Sequence, residues 1–168
     1  MKYKIIFTGI FLMLSLLTFS QTSPLIKVYA YAQSTLPGIK PGVSTNEKLR
    51  QPARENVNYY FYAEYLNNEN FTAITLWVKG NPYLVKTDSI KHSPVETTGN
   101  DSKKITLVPV TSNKLLLLQP GSILNSKPTA SLQKMMKKAE LVITYRWKGK
   151  IKYYPVYKIK MLEVVAGV

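Results

Sequence analysis

The residues that could carry out acid–base or nucleophilic chemistry are few in this chain. His92 is the only histidine, and Ser89, Ser93, Asp88 and Asp101 lie near it in the sequence. A hydrolase of the nucleophile-elbow type needs its serine in a Gly-x-Ser-x-Gly turn, and neither serine has that pattern. The chain contains no cysteine, which excludes thiol nucleophiles and Cys-based zinc sites. We therefore expect His92 to be a solvated loop residue.

Two further patterns resemble catalytic spacings. Ser131-Leu132-Gln133-Lys134 matches the S-x-x-K motif of penicillin-interacting enzymes, but the partner motifs S-D-N and K-T-G are absent. A glycosidase needs two carboxylates across a cleft, and the candidates are Glu64, Glu69, Asp88, Glu96 and Asp101. Glu64 is unusual because it lies mid-strand among tyrosines, although a basic partner on the neighbouring strand explains it more simply. The sequence thus predicts no catalytic residue, no cofactor and no metal.

Positive charge is concentrated in the C-terminal part of the chain. The net charge is +14, and residues 103–168 hold 13 of the 23 basic residues but 2 of the 9 acidic ones. In a single strand over 151–161, one face would carry Lys150, Lys152, Lys158 and Lys160. Together with Arg146, Lys134 and Lys138 they predict a surface for polyanions such as lipopolysaccharide, acidic glycan or nucleic acid. The alternative is that lysines on an edge strand prevent edge-to-edge aggregation.

Aromatic residues suggest a second surface. By strand alternation Tyr60, Tyr62, Trp77 and Tyr83 share one face, which would be a platform for sugar or peptide, or simply a packed face of a sandwich. Asp88-Ser89-Ile90 is similar to the Asp-Ser/Thr-aliphatic site that exported proteins of the Bacteroidota O-glycosylate, which makes Ser89 a candidate modification site.

The N-terminus has the pattern of a secretory signal peptide. Lys2 and Lys4 precede an apolar run from Ile5 to Leu17, and Thr18-Phe19-Ser20 places small residues before a cut after residue 20. The run is too short for a typical membrane span. We expect a signal peptide over 1–20, a single domain over 21–168, no membrane span after cleavage, and a periplasmic or secreted protein.

The elements that would position these residues are almost all strands. Val57–Lys86 predicts a three-stranded meander, because apolar and aromatic residues alternate with polar ones between Asn/Gly/Pro turns. Further strands are expected over 25–33, 105–110, 114–119, 141–147 and 151–161, loops over 36–52 and 87–104, and one short helix over 129–139. The expected fold is all-β, an antiparallel β-sandwich that is immunoglobulin-like in the broad sense, with a small barrel as the alternative.

Three stretches give the chain a family resemblance. They are Phe19-Ser20-Gln21, Trp77-Val78-Lys79-Gly80-Asn81-Pro82-Tyr83, and Glu140 to Pro155 with its Tyr-Arg-Trp-Lys-Gly turn. In these the chain resembles small uncharacterised exported β-proteins of Bacteroidota. The resemblance implies export and an all-β fold, and it implies no activity.

The sequence therefore predicts an exported, non-catalytic binding or assembly module of the cell envelope, whose partner is an envelope protein or an anionic polymer. A polyanion binder that uses the C-terminal lysines is the first alternative. A hydrolase that uses His92 or a carboxylate pair is the second.

Overall fold

The protein is seen in a computed structural model that describes residues 23–36, 56–99 and 102–163, and the backbone of 165–166. The expected signal peptide and most of the expected loop over 36–52 lie outside these residues. The described ranges contain eleven strands and one short helix, which we number in chain order. They are β1 Leu25–Leu36, β2 Asn56–Tyr65, β3 Thr72–Val78, β4 Asn81–Ile90, β5 Val95–Thr98, β6 Lys104–Val108, β7 Lys114–Ile123, α1 Ala130–Met136, β8 Leu141–Trp147, β9 Lys150–Val156, β10 Lys160–Met161 and β11 Val165–Ala166.

Nine of these strands form one sheet in the order β10-β1-β2-β7-β4-β3-β8-β9, with β11 also paired to β1. Neighbouring strands are antiparallel, except that β10 and β11 run parallel to β1. Strands β5 and β6 form a separate two-stranded sheet. The chain is therefore all-β, as the sequence predicts.

The large sheet curls so that its two ends approach each other. Only residues 157–159 separate β9, at one end of the sheet, from β10 at the other. The Ser23 hydroxyl, just before β1, also lies 3.0 Å from the Tyr145 hydroxyl of β8. This curvature gives the sheet a half-barrel shape with a concave inner face.

The inner face carries the main hydrophobic core. Strand alternation decides its membership: Phe61 and Ala63 of β2 are fully buried there, while Tyr62 between them points outward. The core residues are Leu25, Ala30, Ala32, Phe61, Ala63, Leu76, Val78, Leu118, Leu141, Ile143, Tyr145, Trp147 and Ile159. Burial of these apolar side chains is the main stabilising contribution to the fold.

Two small structures cover parts of the outer face. The β5–β6 sheet packs on β1, β2 and β7 around Tyr31 and Tyr62, and the Tyr31 hydroxyl donates a 2.6 Å hydrogen bond to the Leu107 carbonyl. Helix α1 packs on β3 and β8 through Leu132, which contacts Trp77 in a third cluster. Both covers therefore bury tyrosine or tryptophan from the outer face of the sheet.

Four of the expectations differ from the structure. The expected three-stranded meander over 57–86 does not form, because β3 pairs with β4 but both edges of β2 pair elsewhere, with β1 and β7. The expected loop over 87–104 contains the end of β4 and all of β5, because polar β-branched residues pair there without burying much surface. The expected strand over 151–161 is two strands at opposite ends of the sheet. The Pro120-Gly121 pair does not end β7, which continues to Ile123. The expected helix is confirmed over Ala130–Met136, and no helix in the described ranges is long and apolar enough to cross a membrane.

Candidate functional site

The structure does not assemble the residues considered for hydrolase chemistry. His92 is exposed just after β4, and Asp88 and Ser89 are exposed on that strand. The Ser93 hydroxyl donates to the Thr111 carbonyl and accepts from the Thr111 amide, both at 3.0 Å, so it holds two loops together. Asp101 lies outside the described residues. Within those residues no group of three or more His, Asp or Glu side chains could hold a metal ion.

Glu64 is a buried carboxylate, and both of its oxygens accept hydrogen bonds. Its Oε1 accepts hydrogen bonds from the Thr111 hydroxyl at 2.6 Å and the Asn113 amide at 2.8 Å, and its Oε2 accepts one from the Tyr29 hydroxyl at 3.1 Å. Lys27 is its register partner on β1, which is the basic cross-strand neighbour that the sequence suggests. The carboxylate therefore fastens the β6–β7 loop to β1 and β2.

The charge state of this cluster follows from its contacts. Burial acts to raise the pKa of Glu64, but the hydrogen bonds from Thr111, Asn113 and Tyr29 and the charge of Lys27 outweigh it and lower that pKa below its ordinary value. Burial, followed by the hydrogen bond to Glu64, raises the pKa of Tyr29 to about 12. Glu64 is thus an ionised hydrogen-bond acceptor at neutral pH, which suits a structural role better than a general acid.

The four residues of the expected aromatic face are separated. Tyr62 and Trp77 are buried, Tyr62 under the β5–β6 sheet and Trp77 under α1, where its indole N–H donates a 3.1 Å hydrogen bond to Thr144. Tyr83 is half-buried against the inner core, and Tyr60 is half-buried against the outer cluster. Alternation placed them on one face, but β2, β3 and β4 are not all neighbours in the sheet. Tyr60 and Tyr83 line a common cavity.

The expected lysine face is also divided. Lys150 and Lys152 belong to β9, Lys158 is exposed between strands, and Lys160 lies on β10 opposite Tyr31 of β1. Arg146 is exposed on β8. The expectation of one strand face fails because the chain leaves β9 after Val156 and joins the other end of the sheet.

A different set of lysines is brought together beside α1. Thr129 caps the N-terminus of α1, and its side chain accepts a hydrogen bond from the Leu132 amide. Leu132 faces the sheet, and the exposed Lys134, Lys137 and Lys138 follow at positions that share the other side of a helical turn. The apolar period that predicts the helix thus also fixes where its lysines point.

These three lysines line a groove of about 560 Å³ between α1 and the end of β9. Its other lining residues are Ser131, Met135, Pro155 and Tyr157. The floor is mostly apolar, and the lining contains no carboxylate among the described residues. The groove therefore combines three ammonium groups, with no carboxylate in its described lining, and an apolar floor. This combination makes it a candidate site for an anion with an apolar portion.

Sequence reasoning identified only part of this groove. It assigned Lys134 and Lys138 to the polyanion-binding surface, but not Lys137, Pro155 or Tyr157. The spacing of Lys134, Lys137 and Lys138 on the predicted helix could have identified the basic face. Pro155 and Tyr157 belong to it only through the packing of α1 beside β9, which no local pattern reports.

We compared the chain with protein-family models, with curated proteins and with solved structures, and it matches none of them. The candidate sites therefore rest on the geometry alone.

Proposed function

We propose that this protein is an exported, non-catalytic binding module of the cell envelope whose ligand is anionic. The observation that carries the proposal is the groove beside α1, where Lys134, Lys137 and Lys138 line a mostly apolar floor. Export is supported by the signal-peptide pattern of residues 1–20. The immunoglobulin-like character of the sandwich and the resemblance to exported Bacteroidota proteins remain predictions from the sequence.

The electrostatics of the chain support an anionic ligand. A net charge of +14 attracts polyanions over a distance set by ionic strength, and the groove gives that attraction a local site. Lysine ammonium groups act as mobile point charges and do not provide the bidentate fork of arginine, so they suit several phosphate or carboxylate geometries. We therefore expect recognition of a class of anion and not of one molecule.

The apolar floor narrows the class of ligand. Met135, Pro155 and Tyr157 would remain in contact with water if the groove bound a purely polar polymer. An anion that also carries acyl chains would cover them and gain the favourable free energy of apolar burial. This argument favours lipopolysaccharide over heparin or nucleic acid among the envelope polyanions.

The arrangement of the possible catalytic groups supports a binding role. Ser93 and Glu64 are engaged in structural hydrogen bonds, and the His92 side chain is exposed. Ser131, the serine of the S-x-x-K motif, shares a 3.2 Å hydrogen bond with Thr129 at the start of α1.

The test is binding of the purified protein to lipopolysaccharide and to heparin across a series of salt concentrations. Reversal of charge at all three groove positions, Lys134→Glu, Lys137→Glu and Lys138→Glu, should remove most binding. It should also make the binding constant less dependent on salt. In nucleic-acid complexes each lost phosphate contact lowers the slope of log binding constant against log salt concentration by about 0.7–0.9, and we expect a similar effect here.

A matched set and a second set of variants serve as controls. Lys91, Lys114 and Lys127 are exposed and lie outside the groove, so their triple reversal makes the same change in net charge. The reversal of Lys150, Lys152, Lys158 and Lys160 tests the surface that the sequence predicts. Equal losses in all three variants would show that attraction is nonspecific, and the groove would then not be a site.

A further inference from the structure

The large sheet splits between two of its central strands. The ladder between β2 and β7 runs from the pair Tyr65 and Lys114 to the pair Phe61 and Leu118, and it stops there. Both strands continue beyond that point. Residues 56–60 of β2 remain paired with β1, and β7 remains paired with β4 as far as Ile123. Beyond Phe61 and Leu118, the facing edges of β2 and β7 are therefore not paired with each other.

A cavity of about 370 Å³ occupies the split. Its lining includes four consecutive residues of β2, 57–60, and three consecutive residues of β7, 119–121. A pocket on one face of a sheet is lined by every second residue of a strand, because side chains alternate between faces. A lining of consecutive residues shows that this cavity lies along the strand edges, where backbone groups point.

The sequence of β7 explains why the ladder stops. Pro120 would lie opposite Tyr59 if the register continued, and it has no backbone N–H to donate. Gly121 follows, and a Cβ there would lie 3.1 Å from the Leu84 carbonyl oxygen and 3.5 Å from the Lys86 side chain. Gly121 thus allows β7 to pass close to the Leu84 carbonyl, and it leaves the Lys86 side chain, which also lines the cavity, in ordinary contact distance of β7.

The remaining lining groups are suited to a polar, extended ligand. Tyr59, Tyr60 and Tyr83 offer aromatic surfaces, Asn58 and Gln119 offer amide donors and acceptors, and Lys86 supplies a positive charge. The lining contains no carboxylate within the described ranges. A ligand with a negative group near Lys86 would complement this site. A second copy of this chain is disfavoured because its net charge of +14 opposes self-association.

We propose that the split between β2 and β7 binds an extended peptide segment of a partner protein, by strand addition, with an acidic side chain of the peptide paired to Lys86. Main-chain hydrogen bonds from an added strand supply affinity in such complexes, and pockets for alternate side chains supply specificity. The site is separate from the groove beside α1, with which it shares no lining residue. It gives the protein a means of assembly with a second envelope protein.

The test uses the purified protein to select binders from a phage-displayed library of random ten-residue peptides. The selected peptides are then synthesised with a single N-methyl group at each backbone position in turn. Alternate amides of a strand inserted in the split face β2, and the amides between them face β7. Strand addition therefore predicts that methylation weakens binding at least tenfold at consecutive positions in the middle of the peptide and is tolerated only at its ends. Selected sequences should contain an acidic residue.

Variants of the protein locate the binding. Lys86→Glu should weaken the selected peptides at least tenfold, whereas Lys91→Glu, the same change at an exposed lysine on the same segment, should not. The triple reversal of Lys134, Lys137 and Lys138 should also leave peptide binding unchanged, which separates this proposal from that for the groove.

Three results would overturn strand addition at this site. The first is a library that yields no peptide above background. The second is peptides that tolerate N-methylation at every position or ignore Lys86→Glu. The third is a different occupant of the site. This would be seen if no peptide bound but an acidic oligosaccharide did, and Lys86→Glu abolished that binding. It would also be seen if analytical ultracentrifugation showed a dimer that Lys86→Glu dissociates.

Discussion

The backbone amide of Ile159 donates a 2.7 Å hydrogen bond to Oε2 of Glu140, and this bond links the two ends of the curled sheet. Glu140 immediately precedes β8, and Ile159 immediately precedes β10. Ile159 is itself buried in the inner core. The bond thus fixes the crossing of residues 157–159, which brings β10 beside β1.

We expect Glu140→Ala to lower the free energy of unfolding by about 1–3 kcal/mol, because the Ile159 amide loses a charged acceptor in a partly buried position. Urea denaturation at pH 7 measures this. Glu140→Gln keeps a carbonyl acceptor and should lose less. Equal stability of Glu140→Ala and the wild type would mean that the crossing is held by the burial of Ile159 alone.

Glu64→Gln should destabilise the protein in a pH-dependent manner. The pKa of Glu64 is lowered in the folded state, so the ionised carboxylate stabilises the fold above the ordinary value of 4.5, and this contribution is lost as the pH falls through the lower folded pKa. We expect a loss of about 1–3 kcal/mol at pH 7. The difference from the wild type should shrink as the pH falls below 4.5.

Glu96→Gln is the matched control for Glu64. Glu96 is exposed and pairs with the exposed Lys104 at 3.4 Å, an arrangement that contributes little to stability. Its free energy of unfolding should stay within about 0.5 kcal/mol of the wild type at each pH. If Glu64→Gln had the same pH profile as this control, the hydrogen bonds to Glu64 would not determine its ionisation.

The strands and the fold class could be predicted because alternation is a local property. Tyr59, Phe61 and Ala63 face one way and Tyr60 and Tyr62 the other, both in the sequence pattern and in the structure. The helix was predictable for the same reason, since Leu132 and Ala139 recur on one side of it. The four-residue strand β5 and the two-residue strand β11 were missed, because strands this short give no clear alternation.

The sites were less predictable because they depend on which strands become neighbours. Lys152 and Lys160 are an even number of residues apart, so they would share one face of a continuous strand. In the structure they lie on β9 and β10, at opposite ends of the sheet order. Conversely, Tyr60 and Tyr83 line one cavity because β2, β7 and β4 are adjacent, although 22 residues separate the two tyrosines in the sequence. No periodicity within a single segment reports such pairings.

Trp147 should report the ionisation of Glu69. Its indole N–H donates a 2.8 Å hydrogen bond to Oε2 of Glu69, and Lys148 lies 3.2 Å from Oε1. The bond from Trp147, followed by that from Lys148, lowers the pKa of Glu69. We expect the fluorescence to change on acidification with a midpoint below 4.5, the ordinary value for glutamate. The change should be absent in Glu69→Gln and in Trp147→Phe, and its persistence in both variants would assign it to Trp77.

Leu132→Ala should loosen α1 and with it the anion-binding groove. Leu132 is 3% exposed and is the side chain by which this seven-residue helix packs on the sheet, and a helix so short is not stable without such packing. We expect a loss of about 2–4 kcal/mol in the free energy of unfolding. Amide hydrogen exchange over 133–139 should become faster than in β2 and β7, and lipopolysaccharide binding should weaken.

Gln133→Ala, at an exposed position of the same helix, is the control and should change the free energy of unfolding by no more than about 0.5 kcal/mol. Unchanged lipopolysaccharide binding by a Leu132→Ala protein with a detached helix would place the ligand outside the groove.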